Sequence, residues 1–312
     1  MNNILFTIAI PTYNNEKIIR DAITSCINQD NSISYEILII NNASSDKTGE
    51  IIDSFNDAKI RVVNNPKTVS IVENHNIALN KAAGKYIIFC HSDDKLENNA
   101  LKVFAKKVAE RDYPERYVLW GNSMFRDFSA NYIKQVGFLY NQIVVGEYAP
   151  LGMMYGGLPP SGTCYSKDSF LELGGFLNVS TLAGPFDYAS MIYLAMKGFK
   201  FEMTDELLLW RVGASTSLSG KSGKVQKEFL EVVDDSFSYF LDKVSEEEVH
   251  RLIILSNGVK LKPWLFYYSI LQKKVHARQI KRIVILELIK NPLLLRDVFV
   301  RKTISRLYNS WH

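Results

Sequence analysis

At 312 residues, with 47% hydrophobic and 22% charged side chains, the chain can bury a large core and is too apolar to be wholly disordered. Its apolar runs fall short of the roughly 18 residues that a membrane span requires. Its N-terminus enters a strand pattern without the basic start and cleavage site of an export signal. These features predict a globular protein of the cytoplasm that does not cross a bilayer.

The net charge of +4 is unevenly distributed along the chain. Residues 251–312 carry 13 Lys or Arg and two acidic residues, a local charge of +11, which leaves −7 for the first 250 residues. We therefore expect a body at residues 1–220 and a basic, helical C-terminal region at 221–312. That region has two compatible interpretations, an amphipathic subdomain packed on the body or a segment attached to an anionic membrane surface. Its basic residues are interleaved with apolar ones, which argues against a nucleic-acid partner.

The first third of the chain alternates strand and helix patterns. Strands are predicted over 4–10, 35–40, 60–63 and 86–90, with Pro11 closing the first, and helices over 18–27, near 51–55 and over 70–83. Such alternation predicts an α/β fold with a mainly parallel sheet and right-handed crossovers.

The second third is mixed. A helix is predicted over 98–111 and strands over 117–120, 200–203 and 207–211, with strands or a hairpin in 124–145. Residues 152–162 form a glycine-rich loop, and two helices, over 167–173 and 187–197, each end at glycine. The three cysteines, Cys26, Cys90 and Cys164, lie far apart in apolar stretches, so we predict buried thiols without a metal role.

The tetrad His91-Ser92-Asp93-Asp94 follows a predicted buried strand directly. Ligands of open α/β sheets bind beyond the carboxyl ends of the strands, so these carboxylates are suited to holding a cation against a phosphorylated ligand. Alternatively, Asp94 and Glu97 form a capping box for a helix that begins near Leu96. The tetrad alone leaves both interpretations open.

Three further segments accompany the tetrad in a fixed order. They are residues 8–15 (IAIPTYNN), residues 39–48 (IINNASSDKT), and residues 74–78 (NHNIA) with 82–87 (AAGKYI). Together the four segments resemble the family 2 glycosyltransferases, inverting enzymes of the GT-A fold that use nucleotide-sugars. The resemblance is close over residues 4–97 and looser to about residue 215.

The resemblance implies a site for a nucleotide-sugar, with a UDP-sugar as the expected donor. Asp93 and Asp94 would hold Mg²⁺ or Mn²⁺ across the diphosphate. Asp187, at the start of a helix, would be the general base for the acceptor hydroxyl, although without the resemblance its position favours a partner of the helix dipole. Residues implied in donor binding are Pro11, Thr12, Tyr13, Asn14, Asn41, Asn76, Ser92, Asp93 and Arg211.

The chain departs from the family pattern at three places. His91 stands where an acidic residue is common, which leaves its role open between a hydrogen bond and simple packing of the turn. Asn41 and Asn42 replace a frequently acidic pair, so the expected preference for uridine weakens. Phe186 precedes Asp187 where an acidic neighbour is frequent, and an adjacent aromatic ring would raise the pKa of the base by desolvation.

The expected activity is metal-assisted transfer of one sugar to a hydroxyl of a glycan. The basic C-terminal region suggests a lipid-linked acceptor at the inner face of the plasma membrane. Two alternatives remain. A nucleotidyltransferase would also need a metal carboxylate near phosphates, although the first strand lacks a glycine-rich phosphate loop. A non-catalytic binding module derived from such an enzyme would explain His91 and the two asparagines.

Overall fold

The computed structural model describes residues 4–127, 132–136, 159–178 and 186–212. The predictions for the C-terminal region and for residues 152–158 of the glycine-rich loop fall outside these ranges. Within them, no helix is long and apolar enough to cross a membrane.

The predicted alternation of strands and helices is present. The strands are β1 (Phe6–Thr12), β2 (Tyr35–Asn41), β3 (Ile60–Asn64), β4 (Tyr86–Phe89), β5 (Asp94–Leu96), β6 (Tyr117–Asp127), β7 (Tyr132–Val136), β8 (Thr163–Ser166) and β9 (Lys200–Val212). The helices are α1 (Ile19–Ile27), α2 (Thr48–Asp53), α3 (Ile71–Lys81), α4 (Ala100–Glu110), α5 (Lys167–Glu172) and α6 (Phe186–Met196).

The strands of the described residues form one sheet in the order β3-β2-β1-β4-β8-β6-β9-β5, with β7 pairing to β6. Strands β1 to β4 are mutually parallel, whereas β8 is antiparallel to β4 and β6, and β5 to β9. The sheet is therefore mixed, with a parallel N-terminal half as predicted. Because β1, β2 and β4 run in the same direction, their carboxyl ends lie at one edge.

The core lies between this sheet and the helices. Alternate residues of β1, Phe6, Ile8 and Ile10, belong to one buried cluster with Ile19 and Ile23 of α1. Such alternation follows from the two-residue period of a strand, and the spacing of four on α1 follows from the helical period. All three cysteines are free and buried, as predicted.

The first strand continues past Pro11, contrary to the prediction that this residue closes it. Pro11 lies opposite Ile40 in the β1–β2 ladder, which continues to Thr12 and Asn41. On the β4 side, the ladder with β1 stops at Ala9. A residue without a backbone N–H is tolerated there because β1 has a strand on one side only at this level.

The capping-box interpretation of Asp94 is wrong. Residues Asp94–Leu96 form β5, which pairs with β9, and the next helix begins four residues later at Ala100. The backbone N–H of Asp94 donates to the His91 carbonyl at 2.9 Å, which closes the tetrad into a turn. Asp94 therefore lies on a strand beside the tetrad, and the cap offers no explanation of its carboxylate.

The two short strands predicted over 200–203 and 207–211 are one strand. Strand β9 runs beside β6 with register shifts around Asn122, where Thr204 opposite Gly121 is followed by Leu207 opposite Asn122. Strand β9 has extra residues at this bulge, and they break the two-residue alternation by which a strand is predicted from sequence. The sequence pattern therefore suggests two short strands. The hairpin expected within 124–145 is present in its first part as the β6–β7 pair.

Candidate active site

The carboxyl ends of three parallel strands meet at one edge of the sheet. The backbone N–H of Asn42, after β2, donates to the Thr12 carbonyl at the end of β1 (2.9 Å). Asn15, after β1, donates from Nδ2 to Ser92 Oγ, after β4, at 2.6 Å. The segments predicted to bind a donor are therefore neighbours in the fold.

The loops after β1 and β2 are bonded to each other along their length. Asn14 has a φ of 50°, and its Oδ1 accepts from the Ser45 N–H at 2.8 Å while its own N–H donates to Ser44 Oγ at 3.0 Å. The Glu16 N–H donates to Asp46 Oδ2 at 3.1 Å. Asparagine tolerates the left-handed conformation better than other non-glycine residues, which explains its place in this turn. The two loops thus form one wall, from which Tyr13 extends with 48% of its surface exposed.

The tetrad places three ligating side chains together. One ligand atom each from His91, Asp93 and Asp94 lies within 4.8 Å of the other two. A nitrogen and two carboxylate oxygens at this spacing fit a divalent cation such as Mn²⁺. His91, Asp93 and Asp94 are therefore a candidate metal site at this edge.

Arg211 lies beside this group through the β5–β9 ladder, in which it is opposite Asp94. Trp210, its neighbour, donates from Nε1 to Glu97 Oε1 and attaches β9 to the chain after β5. Burial raises the pKa of the Asp93 carboxyl, and the positive charge of Arg211 offsets part of that rise. Arg211 thus supplies a positive charge close to the carboxylates, where a diphosphate would need it.

His91 contacts a second histidine, which sequence spacing gave no reason to expect. Its Nε2 lies 3.0 Å from Nε2 of His75, on α3, and Nδ1 of His75 lies 2.8 Å from the Ile71 carbonyl. Burial and the neighbouring His91 lower the pKa of His75 to about 3. Burial, together with the charge of Arg211, lowers that of His91 to about 3. Both imidazoles are therefore neutral near pH 7, which is the form that ligates metals.

Asn41 and Asn42 are occupied by bonds within the fold. Asn41 donates from Nδ2 to Asn64 Oδ1 at 3.0 Å and accepts from the Ser44 N–H at 3.2 Å. Asn42 bonds both the N–H and the carbonyl of Val69, at 2.9 and 3.0 Å. A carboxylate could accept from the two backbone N–H groups but could not donate to Asn64 Oδ1 or to the Val69 carbonyl, so amides suit these loops.

Asp187 lies in the first turn of α6, half-buried, directly after Phe186. The Phe186 ring packs on the His75 ring, with centroids 5.0 Å apart. Burial raises the pKa of Tyr165, on β8, and the charge of Asp187 adds to that rise. The start of α6 is therefore connected through Phe186 and His75 to the tetrad.

The remaining predicted donor-binding residues differ in their exposure and in the hydrogen bonds that they already make. Pro11, Thr12 and Ser92 are buried, whereas Tyr13 and Asn14 are exposed at the edge. Asn76 donates to the Phe176 carbonyl and accepts from the Phe176 N–H, both at 2.8 Å, so its amide holds the chain after α5. The sequence reasoning did not single out Asn15 and His75, although both lie in the segments that carry the family resemblance.

Comparison with known proteins relates the part of the chain that contains this edge to a family. The model of glycosyl transferase family 2 matches residues 7–121, which include the loop wall and the tetrad. A glycosyltransferase of Haemophilus influenzae that is uncharacterized is 33% identical over 138 residues, 44% of this chain and 54% of that protein. The chain therefore spans about half the length of this relative.

Two further proteins have stated substrates or ligands. The Escherichia coli UDP-Glc:alpha-D-GlcNAc-diphosphoundecaprenol beta-1,3-glucosyltransferase WfgD is 32% identical over 103 residues, 33% of this chain and 40% of WfgD. The crystal structure of Staphylococcus aureus TarS residues 1–349 with UDP-GlcNAc superposes with a TM-score of 0.63 and 18% identity. The match covers 86% of this chain and 80% of the TarS fragment, and at this identity it establishes the GT-A fold.

Proposed function

Residues 7–121 of this chain belong to glycosyl transferase family 2, and from this membership we propose that the protein transfers a sugar from a nucleoside diphosphate to a hydroxyl of a glycan. The observation that carries the proposal is the group formed by His91, Asp93 and Asp94, whose ligand atoms lie within 4.8 Å of one another. Arg211, opposite Asp94 on the neighbouring strand, adds the positive charge that a diphosphate requires.

The nucleotide would lie along the wall formed by the loops after β1 and β2. Tyr13 and Asn14 are exposed there and can contact the base or the ribose. Asn41 is only 7% exposed and already bonded, so it would shape the wall beneath the base. Thr12 and Ser92 support the same wall through Asn15, which lies between them.

Asp93 and Asp94 would hold Mg²⁺ or Mn²⁺ against the diphosphate. Such an ion, when bound, neutralises the charge that develops on the departing nucleoside diphosphate. Arg211 would stabilise the same charge from β9. Asp187 would accept the proton of the acceptor hydroxyl as that hydroxyl attacks the sugar carbon opposite the departing diphosphate, which inverts the configuration there.

The acceptor we propose is a lipid-linked saccharide at the inner face of the plasma membrane. WfgD, which is 32% identical to this chain over 103 residues, acts by its name on a diphosphoundecaprenol-linked sugar with UDP-Glc. The +11 charge of residues 251–312 favours the same location, because anionic lipids attract basic segments. UDP-sugars are the corresponding donors.

A thermal-shift experiment tests the donor and metal sites together, because a ligand that binds only the folded state raises Tm. UDP with Mn²⁺ should raise the Tm of the wild type, and Asp93→Asn should lose most of this rise. Asp53→Asn is the matched control, since Asp53 is an exposed aspartate at the last position of α2 and is not among the proposed ligands. Equal Tm rises in Asp93→Asn and wild type would contradict the proposed site.

Activity distinguishes the alternatives. Release of UDP from a UDP-sugar supports the transferase, whereas release of pyrophosphate from a nucleoside triphosphate would identify a nucleotidyltransferase. Binding of a UDP-sugar without any turnover, across a panel of hydroxyl acceptors and water, would identify a binding module.

A further inference from the structure

We propose that His91 is the third protein ligand of the divalent cation, bound through its Nδ1 atom, and that His75 is the positioning residue that leaves this nitrogen free to bind. The inference rests on the proposed function insofar as the cation is the one that joins the tetrad to the donor diphosphate. It concerns His91, where this chain departs from the acidic residue common in the family, and His75, which contacts it.

The proton positions follow from the contacts of His75. Its Nδ1 lies 2.8 Å from the Ile71 carbonyl, which can only accept, so Nδ1 carries a hydrogen. The His75 ring is 2% exposed and lies among the rings of Phe89, Phe176 and Phe186, at centroid distances of 5.2, 5.8 and 5.0 Å. These apolar neighbours disfavour a charged ring. A neutral His75 with a proton on Nδ1 has an unprotonated Nε2 that accepts.

The tautomer of His91 is then determined by His75. The two Nε2 atoms are 3.0 Å apart, a hydrogen-bond distance that requires one donor and one acceptor. Because His75 Nε2 accepts, His91 Nε2 carries the proton, and the lone pair of a neutral His91 lies on Nδ1. Metal-bound histidines usually donate their other ring N–H to a fixed acceptor, and here that acceptor is a second imidazole.

The surroundings of His91 fix the rest of its position. Its backbone N–H donates to Ser161 Oγ at 3.0 Å, and its carbonyl accepts from the Asp94 N–H at 2.9 Å. Both bonds hold the turn in which Asp93 and Asp94 lie near the imidazole. A nitrogen ligand favours a transition metal over Mg²⁺, which prefers oxygen. His91 should therefore make the site select Mn²⁺ over Mg²⁺.

Electron spin-echo measurements on Mn²⁺ detect nitrogen bound to the ion directly. The full-length wild type with Mn²⁺ and UDP should show ¹⁴N modulation from an imidazole. His91→Asp keeps an oxygen ligand, so it should retain Mn²⁺ but lose this modulation and much of the preference for Mn²⁺ over Mg²⁺. A variant with His250, His276 and His312 all changed to Asn is the control, and it should keep the signal.

His75 is tested by His75→Phe and His75→Gln. Phenylalanine fits the surrounding rings but cannot accept from His91, so Mn²⁺ affinity should fall about ten-fold, the typical loss when the partner of a metal-bound histidine is removed. Glutamine offers an oxygen acceptor and should restore part of the affinity. Equal Mn²⁺ affinity in wild type and His75→Phe, with both folded, would overturn the positioning role.

Failure of this inference is distinguishable from failure of the proposed function. Bound Mn²⁺ without ¹⁴N modulation in the wild type, or with unchanged modulation in His91→Asp, would overturn the role of His91 while UDP release from a UDP-sugar still supported the transferase. Modulation that is lost in His91→Asp but kept in the control variant would support the inference even if no sugar transfer were found.

Discussion

At the scale of single residues, the site contains amides where carboxylates are expected, and Asn42 shows why. Its Nδ2 donates to the Val69 carbonyl while its Oδ1 accepts from the Val69 N–H and from Asn65 Nδ2. The Asn65 amide in turn donates to Asn74 Oδ1, on α3. The network connects the loop after β2 to the start of α3 and needs a side chain that both donates and accepts.

We therefore expect Asn42→Asp to be destabilising despite its similar shape. The aspartate cannot donate to Val69, and loss of this bond should lower the free energy of unfolding by about 1–3 kcal/mol at pH 7. Urea denaturation measures the loss. Asn31→Asp, at an exposed turn position, is the control and should change stability by less than about 0.5 kcal/mol. Equal stabilities for the two variants would show that donation to Val69 contributes nothing.

Substitution of Asp187 can distinguish its two predicted roles, general base and partner of the helix dipole. Asp187→Asn should lower kcat at least about 100-fold with little change in the KM of the donor, since the loss of a general base affects the chemical step. Steady-state kinetics with a UDP-sugar and a working acceptor measure both constants.

Asp168→Asn is the matched control, because Asp168 is the first-turn acidic residue of α5 and is exposed. A carboxylate that serves only the dipole contributes about 0.3–1 kcal/mol of stability and leaves kcat unchanged. If Asp187→Asn behaves like Asp168→Asn in both kcat and stability, Asp187 is not the base.

At the scale of secondary-structure elements, the parallel half of the sheet could be predicted and the antiparallel half could not. Each strand from β1 to β4 is a local apolar run separated by a helix with a 3.6-residue period, so the pattern suffices. Strand β5 has three residues, and its existence depends on β9, which is more than 100 residues away in the sequence. No local pattern indicates such a strand, and Asp94 and Glu97 imitate a helix cap instead.

The candidate site, like the sheet, could be predicted only where it depends on local sequence patterns. The tetrad, Arg211 and the loop after β1 follow from strand-end motifs, whereas the His75–His91 contact depends on how α3 lies across the sheet. His75 and His91 are 16 residues apart, on a helix and on a strand end. Their contact follows from the crossover between β3 and β4 and from no spacing rule.

Gly84 provides a test of how closely β1 and β4 approach. A Cβ at this position would lie 2.5 Å from the Thr7 N and 2.6 Å from the Phe6 carbonyl carbon, both backbone atoms that cannot move aside. Gly84→Ala should therefore cost about 3 kcal/mol of folding free energy, at the upper end for an overpacked core.

Gly174→Ala is the comparison for Gly84→Ala. Gly174 has a φ of +87° but open space around it, so an alanine there meets backbone strain of about 1–2 kcal/mol and no collision. Thermal or urea unfolding of both variants should rank Gly84→Ala as the more destabilised. The reverse order would mean that the approach of β1 and β4 relaxes without cost.

At the scale of the whole molecule, the charge of the chain is divided between two parts of opposite sign. The first 250 residues carry a net charge of −7 and include the site, whereas residues 251–312 carry +11. An anionic lipid surface would repel the first part and attract the second. A protein held in this way can work on an acceptor whose lipid anchor remains in the membrane.

Co-sedimentation with vesicles tests this arrangement in the full chain. Vesicles with anionic phosphatidylglycerol should bind the wild type, and binding should weaken with salt because the attraction is screened. K273E/K274E should weaken it at least about ten-fold, since each Lys or Arg near the surface contributes about 1 kcal/mol. K102E/K106E makes the same change of charge at exposed positions of α4 and should bind like the wild type. If both double variants lose binding equally, net charge alone governs the attraction, and the C-terminal region has no special part in it.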